Sequence, residues 1–160
     1  MKTIKGGYHN KLLRINLTDH TYKTEEIPED TLLKYIGGRG LGVKFLFDEL
    51  PAKVDPLSPE NKLLFVSAPL HGSNAATASR FSVVCKSPLT GGIGETNSGG
   101  HFGVDFKNTG VDVLVLEGKS ESPCYIFIHN EKAEIREAQN LWGKTTDLTV
   151  ERKEYIPIND

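Results

Sequence analysis

Arg80, Lys86, Thr96, Asn97 and Ser98 are the side chains whose types and spacing offer chemistry. Arg80 lies just before the stretch KSPLTGGIGETNSGGHFG, from Lys86 to Gly103, and the other four lie within it. Six of the 16 glycines lie between Gly91 and Gly103, a density that costs entropy and needs a reason. A backbone turning through positive φ is one reason, and main-chain N–H and C=O groups approached closely by something bulky is another. A long flexible hairpin loop is the plain alternative. Against it stands the strand-like run from Arg80 to Lys86, which would give the loop a rigid base. Exposed backbone donors, an Asn amide and an Arg together suit a large, flat, anionic ligand. The Arg supplies bidentate charge, and Asn carbonyl groups could also hold a phosphate-bound Mg²⁺.

This is chemistry of binding, and no catalytic constellation accompanies it. No G-x-S-x-G elbow is present, and the carboxylates are scattered without a pair in a glycine-bounded cleft. Gly118-Lys119-Ser120 and Gly143-Lys144-Thr145 fail as phosphate loops, because Val113 and Ala138 stand where a glycine is needed. In GGRGLG, Gly37 to Gly42, Val43 stands where a dinucleotide fingerprint needs its third glycine. That break reads as a helix C-cap with close helix packing, although Arg39 could reach an anion. Cys85 and Cys124 sit in alternating apolar runs and read as small core residues. The five histidines show no metal-ligand spacing, so no zinc or iron–sulfur site is legible.

The totals narrow the class. The 160 residues fit a single domain, 1–160. A net charge of −2 with interspersed signs gives no case for nucleic acid or an acidic membrane surface. No apolar run approaches the roughly 18 residues that span a bilayer. MKTIKGGYHNKLL lacks an apolar signal region, so the expected compartment is cytoplasmic.

The elements that must position the glycine-rich stretch follow from patterning. Lys11–Leu17 and His20–Ile27 predict a hairpin about Thr18-Asp19. Asp30 is a candidate N-cap for a helix carrying Leu32, Leu33 and Ile36 on one side. A second amphipathic run covers Val43 to Leu50, ended by Pro51. Lys62–Ala68 predicts a buried strand, Pro69–Ala78 a loop of small residues, and Arg80–Lys86 a strand with one buried face. Val113–Gly118 predicts another strand, and a second hairpin turns at Asn130-Glu131. Strands joined mainly by hairpins, with helices near residues 30 to 50, indicate an α+β fold of mainly antiparallel sheet. The clearest parallel-sheet signals are missing.

At this point the series IGGRGLGVKFLFDELP, DPLSPENKLLFVSAPL, SRFSVVCKSPLTGGIGETNSGGHFG, VDVLVLEGKSESPCYIFI and LWGK becomes informative as a whole. From about Lys11 to Lys144 it resembles the N-terminal domain of the aldehyde ferredoxin oxidoreductase family. The resemblance implies a platform of β-sheets under a paired tungstopterin or molybdopterin (bis-pterin) cofactor. It implies cofactor contacts at Arg80, Asn97, Ser98, Gly99 and Gly100. It also implies a main-chain contact from Asn97 to the Mg²⁺ linking the pterin phosphates. No catalytic residue is carried by this chain. The family's iron–sulfur cluster and its residues nearest the metal lie in further helical domains, so the expectation is a cut-down platform that stops at Asp160.

Two departures are visible: Ala68-Pro69-Leu70-His71-Gly72 where family members commonly read GPLTG, and Asn108-Thr109 where they tend to carry an apolar pair. Both add polarity and would be expected to loosen the fit. The resulting expectation is one piece of an aldehyde or oxo-compound oxidoreductase that passes electrons to ferredoxin. It would need a partner chain or the missing domains, with self-association on its open face as a further possibility. The alternative is a non-catalytic ligand-binding or protein-interaction module on the same platform.

Overall fold

The computed structural model describes residues 6–151. β1 (Lys11–Asn16) and β2 (Thr21–Glu26) form the first hairpin, followed by α1 (Glu29–Tyr35) and α2 (Gly38–Glu49). Then come β3 (Lys62–Val66), β4 (Phe81–Lys86), β5 (Ile93–Ser98) and α3 (Phe102–Asn108). β6 (Val113–Glu117), the β7 (Cys124–His129) and β8 (Lys132–Glu137) hairpin, and α4 (Thr146–Glu151) complete the order. Six strands form one sheet in the order β2-β1-β6-β3-β4-β5, and β7-β8 form a second, two-stranded sheet. This is the α+β, mainly antiparallel architecture expected, with one exception: β1 and β6 pair in parallel, Leu12 opposite Val113. Their connection spans most of the chain, so no local βαβ pattern announces it.

The large sheet is buried on both faces. Leu12, Leu64, Val66, Val84, Val113 and Val115 pack on one face against Ile27, Leu32, Leu41 and Leu46. Leu13, Ile15 and Leu114 pack on the other against Phe106, Val111 and Ala133, with the β7-β8 hairpin closing over them. Each such large side chain removed from water contributes about 1.5–3 kcal/mol. The glycines of GGRGLG belong to this packing. They open α2 and do not end α1 with a simple cap, because a Cβ on Gly42 would lie 2.7 Å from Val84 Cγ2 and 3.0 Å from Val66 Cγ2. The helix must lie that close for its apolar side to reach the sheet, so close packing is the correct half of the expectation. Asp30 lies inside α1, whose N-cap position is Pro28 with no side-chain cap bond.

The glycine-rich stretch is also more regular than expected. Its middle is strand β5, paired residue for residue with β4 from Lys86↔Ile93 to Phe81↔Ser98. Residues 87–92 form the hairpin turn, and Gly99–His101 a second turn into α3. Cys85 and Cys124 are half-buried free thiols, less enclosed than core residues, and burial pushes the Cys85 thiol up.

Across the sheet from the glycine-rich turn, Arg14 is almost enclosed, with its side chain 9% exposed. Its guanidinium donates to Glu25 at 2.8 Å and to both oxygens of Glu49 at 2.8 and 2.9 Å, joining β1, β2 and α2. The Arg14 hydrogen bond holds the Glu25 carboxyl down at about 2, against an ordinary 4.5. A carboxyl lowered by folding stabilises the native state above its unfolded pKa, and that contribution is lost as pH falls toward the folded value. The midpoint of thermal unfolding should therefore drop between about pH 4.5 and pH 2. In Glu25→Gln that part of the drop should be missing. At neutral pH the variant should be less stable by about 1 kcal/mol, a charge-assisted bond discounted for partial exposure.

Candidate functional site

The topology gathers one rim of the large sheet from several elements. The starts of β1, β4 and β6 and the ends of β3 and β5 meet there, with the first turns of α2 and α3 beside them. Ser67 follows β3, and its carbonyl accepts from the Gly38 N–H at 2.8 Å while its own N–H donates to the Asp112 carbonyl at 2.9 Å. Asp112 in turn donates its N–H to the Lys11 carbonyl at 2.8 Å.

A buried polar cluster fastens this rim. Lys107 of α3 and Asp112 are 5% and 2% exposed and form an ion pair. The second Asp112 oxygen accepts from the main-chain N–H groups of His9 and Asn10 at 2.9 and 2.7 Å. The Tyr8 ring lies 5.5 Å from the Lys107 ammonium. A buried pair of this kind is costly unless its remaining polar valences are met, and here the Asp112 carboxylate has three partners. The pattern reading missed Lys107, Asp112 and Arg14. The only signal was a charged residue inside an otherwise apolar run.

On this rim the β4-β5 register brings Arg80 and the end of β5 together. With Phe81 opposite Ser98, the next residues outward are Arg80 on one strand and Gly99 on the other. Asn97 lies opposite Ser82; its Oδ1 accepts from Ser82 Oγ at 2.8 Å and its Nδ2 donates to Glu95 Oε1 at 2.6 Å. The side chain is thus committed within the sheet, which leaves its main chain and that of Ser98 on an edge strand. Arg80 is exposed, and among the described residues its guanidinium has no ion-pair partner. Arg39, on the first turn of α2, is exposed on the same rim, where a Cβ on Gly38 would lie 3.3 Å from Ser82 Oγ.

The glycines of this turn separate by physical role. Gly103 is dictated by packing, since a Cβ there would lie 2.2 Å from the Ser79 carbonyl oxygen. Gly100 has φ +88°, a conformation that favours glycine. Gly99 has neither excuse: its φ lies outside the left-handed region, and an added Cβ would meet nothing within 4 Å. An aromatic group of Phe65, Phe81, Phe102 and Phe106 supports the turn from below, Phe81 and Phe102 being 4.7 Å apart at their centroids.

Lys86 does not join this group. It closes the other end of β4, about 20 Å away at 3.3 Å per residue. There it is 9% exposed and donates to the Ala52 carbonyl. Of the two departures, the first is enclosed at His71 and the second, at Asn108, is exposed. His71 is 7% exposed and hydrogen-bonded, and the Asn108 Oδ1 lies 3.3 Å from where a Gly72 Cβ would sit. Burial lowers the His71 pKa below the ordinary imidazole value, with nearby Lys107 acting in the same direction. Among the described residues no group of three or more His, Cys, Asp and Glu is arranged to hold a metal ion. No helix among them is long and apolar enough to cross a membrane.

With this geometry in hand, the comparisons with known proteins are specific. Residues 12–155 match the sequence model of the aldehyde ferredoxin oxidoreductase N-terminal domain. The chain is 50% identical over 143 residues to a tungsten-containing aldehyde ferredoxin oxidoreductase of Pyrococcus abyssi, covering 89% of this chain and 24% of that protein. It is 42% identical over 140 residues to the WOR-like subunit of an aliphatic sulfonate oxidoreductase of Pyrococcus furiosus, covering 86% of this chain and 22% of that one. A chain of the active-site complex BamBC of benzoyl coenzyme A reductase, solved with 1,5-dienoyl-CoA, superposes with a TM-score of 0.89 at 32% identity. That match covers 92% of this chain and 23% of the other. The chain thus spans about a quarter of the length of the relatives it matches.

The contrast between the glycines is testable without any ligand. Gly103→Ala should lower the unfolding midpoint strongly, by the roughly 1–3 kcal/mol of an overpacked site. Gly99→Ala should leave it within about 0.5 kcal/mol. Chemical denaturation of both variants measures the difference, and equal losses would contradict the assignment.

Proposed function

Because the chain belongs to the aldehyde ferredoxin oxidoreductase family through that family's N-terminal domain, we propose that it forms the cofactor floor of a tungsten- or molybdenum-pterin oxidoreductase acting on aldehydes or related oxo-compounds. The observation that carries this reading is the open space above the Gly99 main chain. Among the described residues nothing needs glycine there, whereas a flat ligand laid on the backbone does. Arg80, without an ion-pair partner among those residues, and the edge-strand main chain fit a phosphate-bearing ring system.

In this reading Arg80 clamps phosphate oxygens, and the N–H groups from Ser98 to Gly100 approach the ring plane. The Asn97 main chain would contact the Mg²⁺ that links the phosphates. Asn97 itself stays rigid through Ser82 and Glu95, so the donors need no rearrangement when the ligand arrives. When bound, the metal–pterin group would supply the two-electron oxidation chemistry, and an iron–sulfur cluster and ferredoxin would take up the electrons. The chain's own residues bind, orient and exclude water on one side only. The cluster, the residues nearest the metal and the other wall of the site belong to polypeptide outside this chain, as a further domain or a partner.

The test is co-expression, in a host supplied with tungstate or molybdate, with a polypeptide corresponding to the remainder of the relatives. Retained metal is read by elemental analysis and pterin by fluorescence after acid oxidation. Arg80→Ala and Gly99→Ala should each reduce retained cofactor about tenfold, the loss expected of one charge-assisted contact or one blocked approach. Full retention in both variants contradicts the site. Ligand held without aldehyde-dependent dye reduction by the assembled pair would favour a non-catalytic binding module.

A further inference from the structure

We propose that His71 is a positioning residue that locks together the two sides of this floor, the Arg80 side and the Gly99–Gly100 side. The inference rests on the reading of the floor given above, but its geometry stands apart from any ligand. The segment from Pro69 to Ser79 is a run of small residues, mostly exposed, between β3 and β4. Local turns hold it, such as Ser73 Oγ to the Leu70 carbonyl at 2.6 Å. Its one large polar side chain turned inward is His71.

Each edge of that ring has a distinct task. Nδ1 lies 3.4 Å from the Ala68 nitrogen, a main-chain N–H that can only donate. Nδ1 must therefore be the bare acceptor, which leaves Nε2 carrying the proton. Nε2 lies 2.8 Å from the Arg80 carbonyl oxygen, which can only accept. One tautomer satisfies both contacts, and the other satisfies neither. On its third side the ring backs onto the first turn of α3, with Cε1 3.5 Å from where a Gly103 Cβ would sit. Gly103 is itself pressed on the Ser79 carbonyl, the residue before Arg80.

The imidazole is therefore the common neighbour of the β3 exit, the β4 start and the helix that follows Gly99-Gly100. Fixing the Arg80 main chain fixes the base of its guanidinium, and fixing α3 fixes the turn opposite. His71 touches neither face of the ligand and acts only through these two.

The experiment uses the whole chain and reads amide exchange by NMR in two segments, Arg80–Ser82 and Gly99–Asp105, the latter through the hydrogen-bonded N–H groups of Val104 and Asp105, together with the imidazole nitrogen shifts. His71→Gln keeps a donor near the Nε2 position, whereas His71→Asn keeps only an acceptor near Nδ1. His71→Asn should lose about tenfold of the protection in both segments, and His71→Gln should restore most of it, with elements far from the rim unchanged in both. Unchanged protection in His71→Asn, or no recovery in His71→Gln, overturns the proposal. Should both variants fail to fold, the unsubstituted chain decides: an Nε2-protonated neutral imidazole supports the proposal and an Nδ1-protonated one overturns it. Titration with magnesium pyrophosphate, with Arg80→Ala as control, tests the floor separately. If exchange behaves as expected but pyrophosphate shifts no amide of either segment, the floor reading fails while the positioning role stands.

Discussion

The structure depends on how closely the first turn of α3 is pressed against the main chain just ahead of β4. At Gly103 there is no room for a side chain beside the Ser79 carbonyl, so the helix and the strand start approach at backbone distance. That approach fixes the length and direction of the Gly99–His101 turn. It also sets Arg80 next to the end of β5 and leaves the Gly99 main chain bare. The aromatic group below and the Lys107–Asp112 pair beside it both act on the same helix, from the sheet face and from the β6 start. The rim is thus held from three directions before any ligand is present, which is the preorganisation a cofactor floor requires.

The remainder of the fold supplies rigidity where no ligand is proposed. Arg14 and its carboxylates tie β1, β2 and α2 on one face of the sheet, and the β7-β8 hairpin covers the other. Several large apolar side chains remain uncovered, among them Phe47 at 77% and Leu89 at 93% exposure. The chain spans about a quarter of the length of the relatives it matches.

How much of this could be read in the sequence depended on whether the controlling contacts were local. Both hairpins were legible, because turn residues at Thr18-Asp19 and Asn130-Glu131 separate alternating runs. The parallel β1-β6 pair was not, since nothing near either strand encodes a partner about a hundred residues away. β5 was hidden because GETNS is polar on both faces, as an edge strand is allowed to be. The start of α2 was hidden because glycine usually ends helices, whereas Gly42 serves here to admit Val84 and Val66.

Within the site, Arg80 and Asn97 were legible as candidates, and the hairpin register explains why they fall together. Lys86 was weighed beside them, but strand length places it at the other end of β4. His71 had looked like added polarity. Its partners, Arg80 and Gly103, lie nine and 32 residues on in sequence and meet it only in the folded rim. Gly99 was named with Gly100 by the resemblance, and separating it from Gly100 and Gly103 required the backbone conformation and the neighbours of each.

The most direct measurement is a solved structure of the chain assembled with the rest of the enzyme and loaded with cofactor. The account predicts phosphate oxygens about 2.7–3.2 Å from the Arg80 guanidinium, and a ring system in van der Waals contact with the Gly99 main chain. A cofactor seated elsewhere, with Arg80 in solvent and polypeptide filling the space above Gly99, would contradict it.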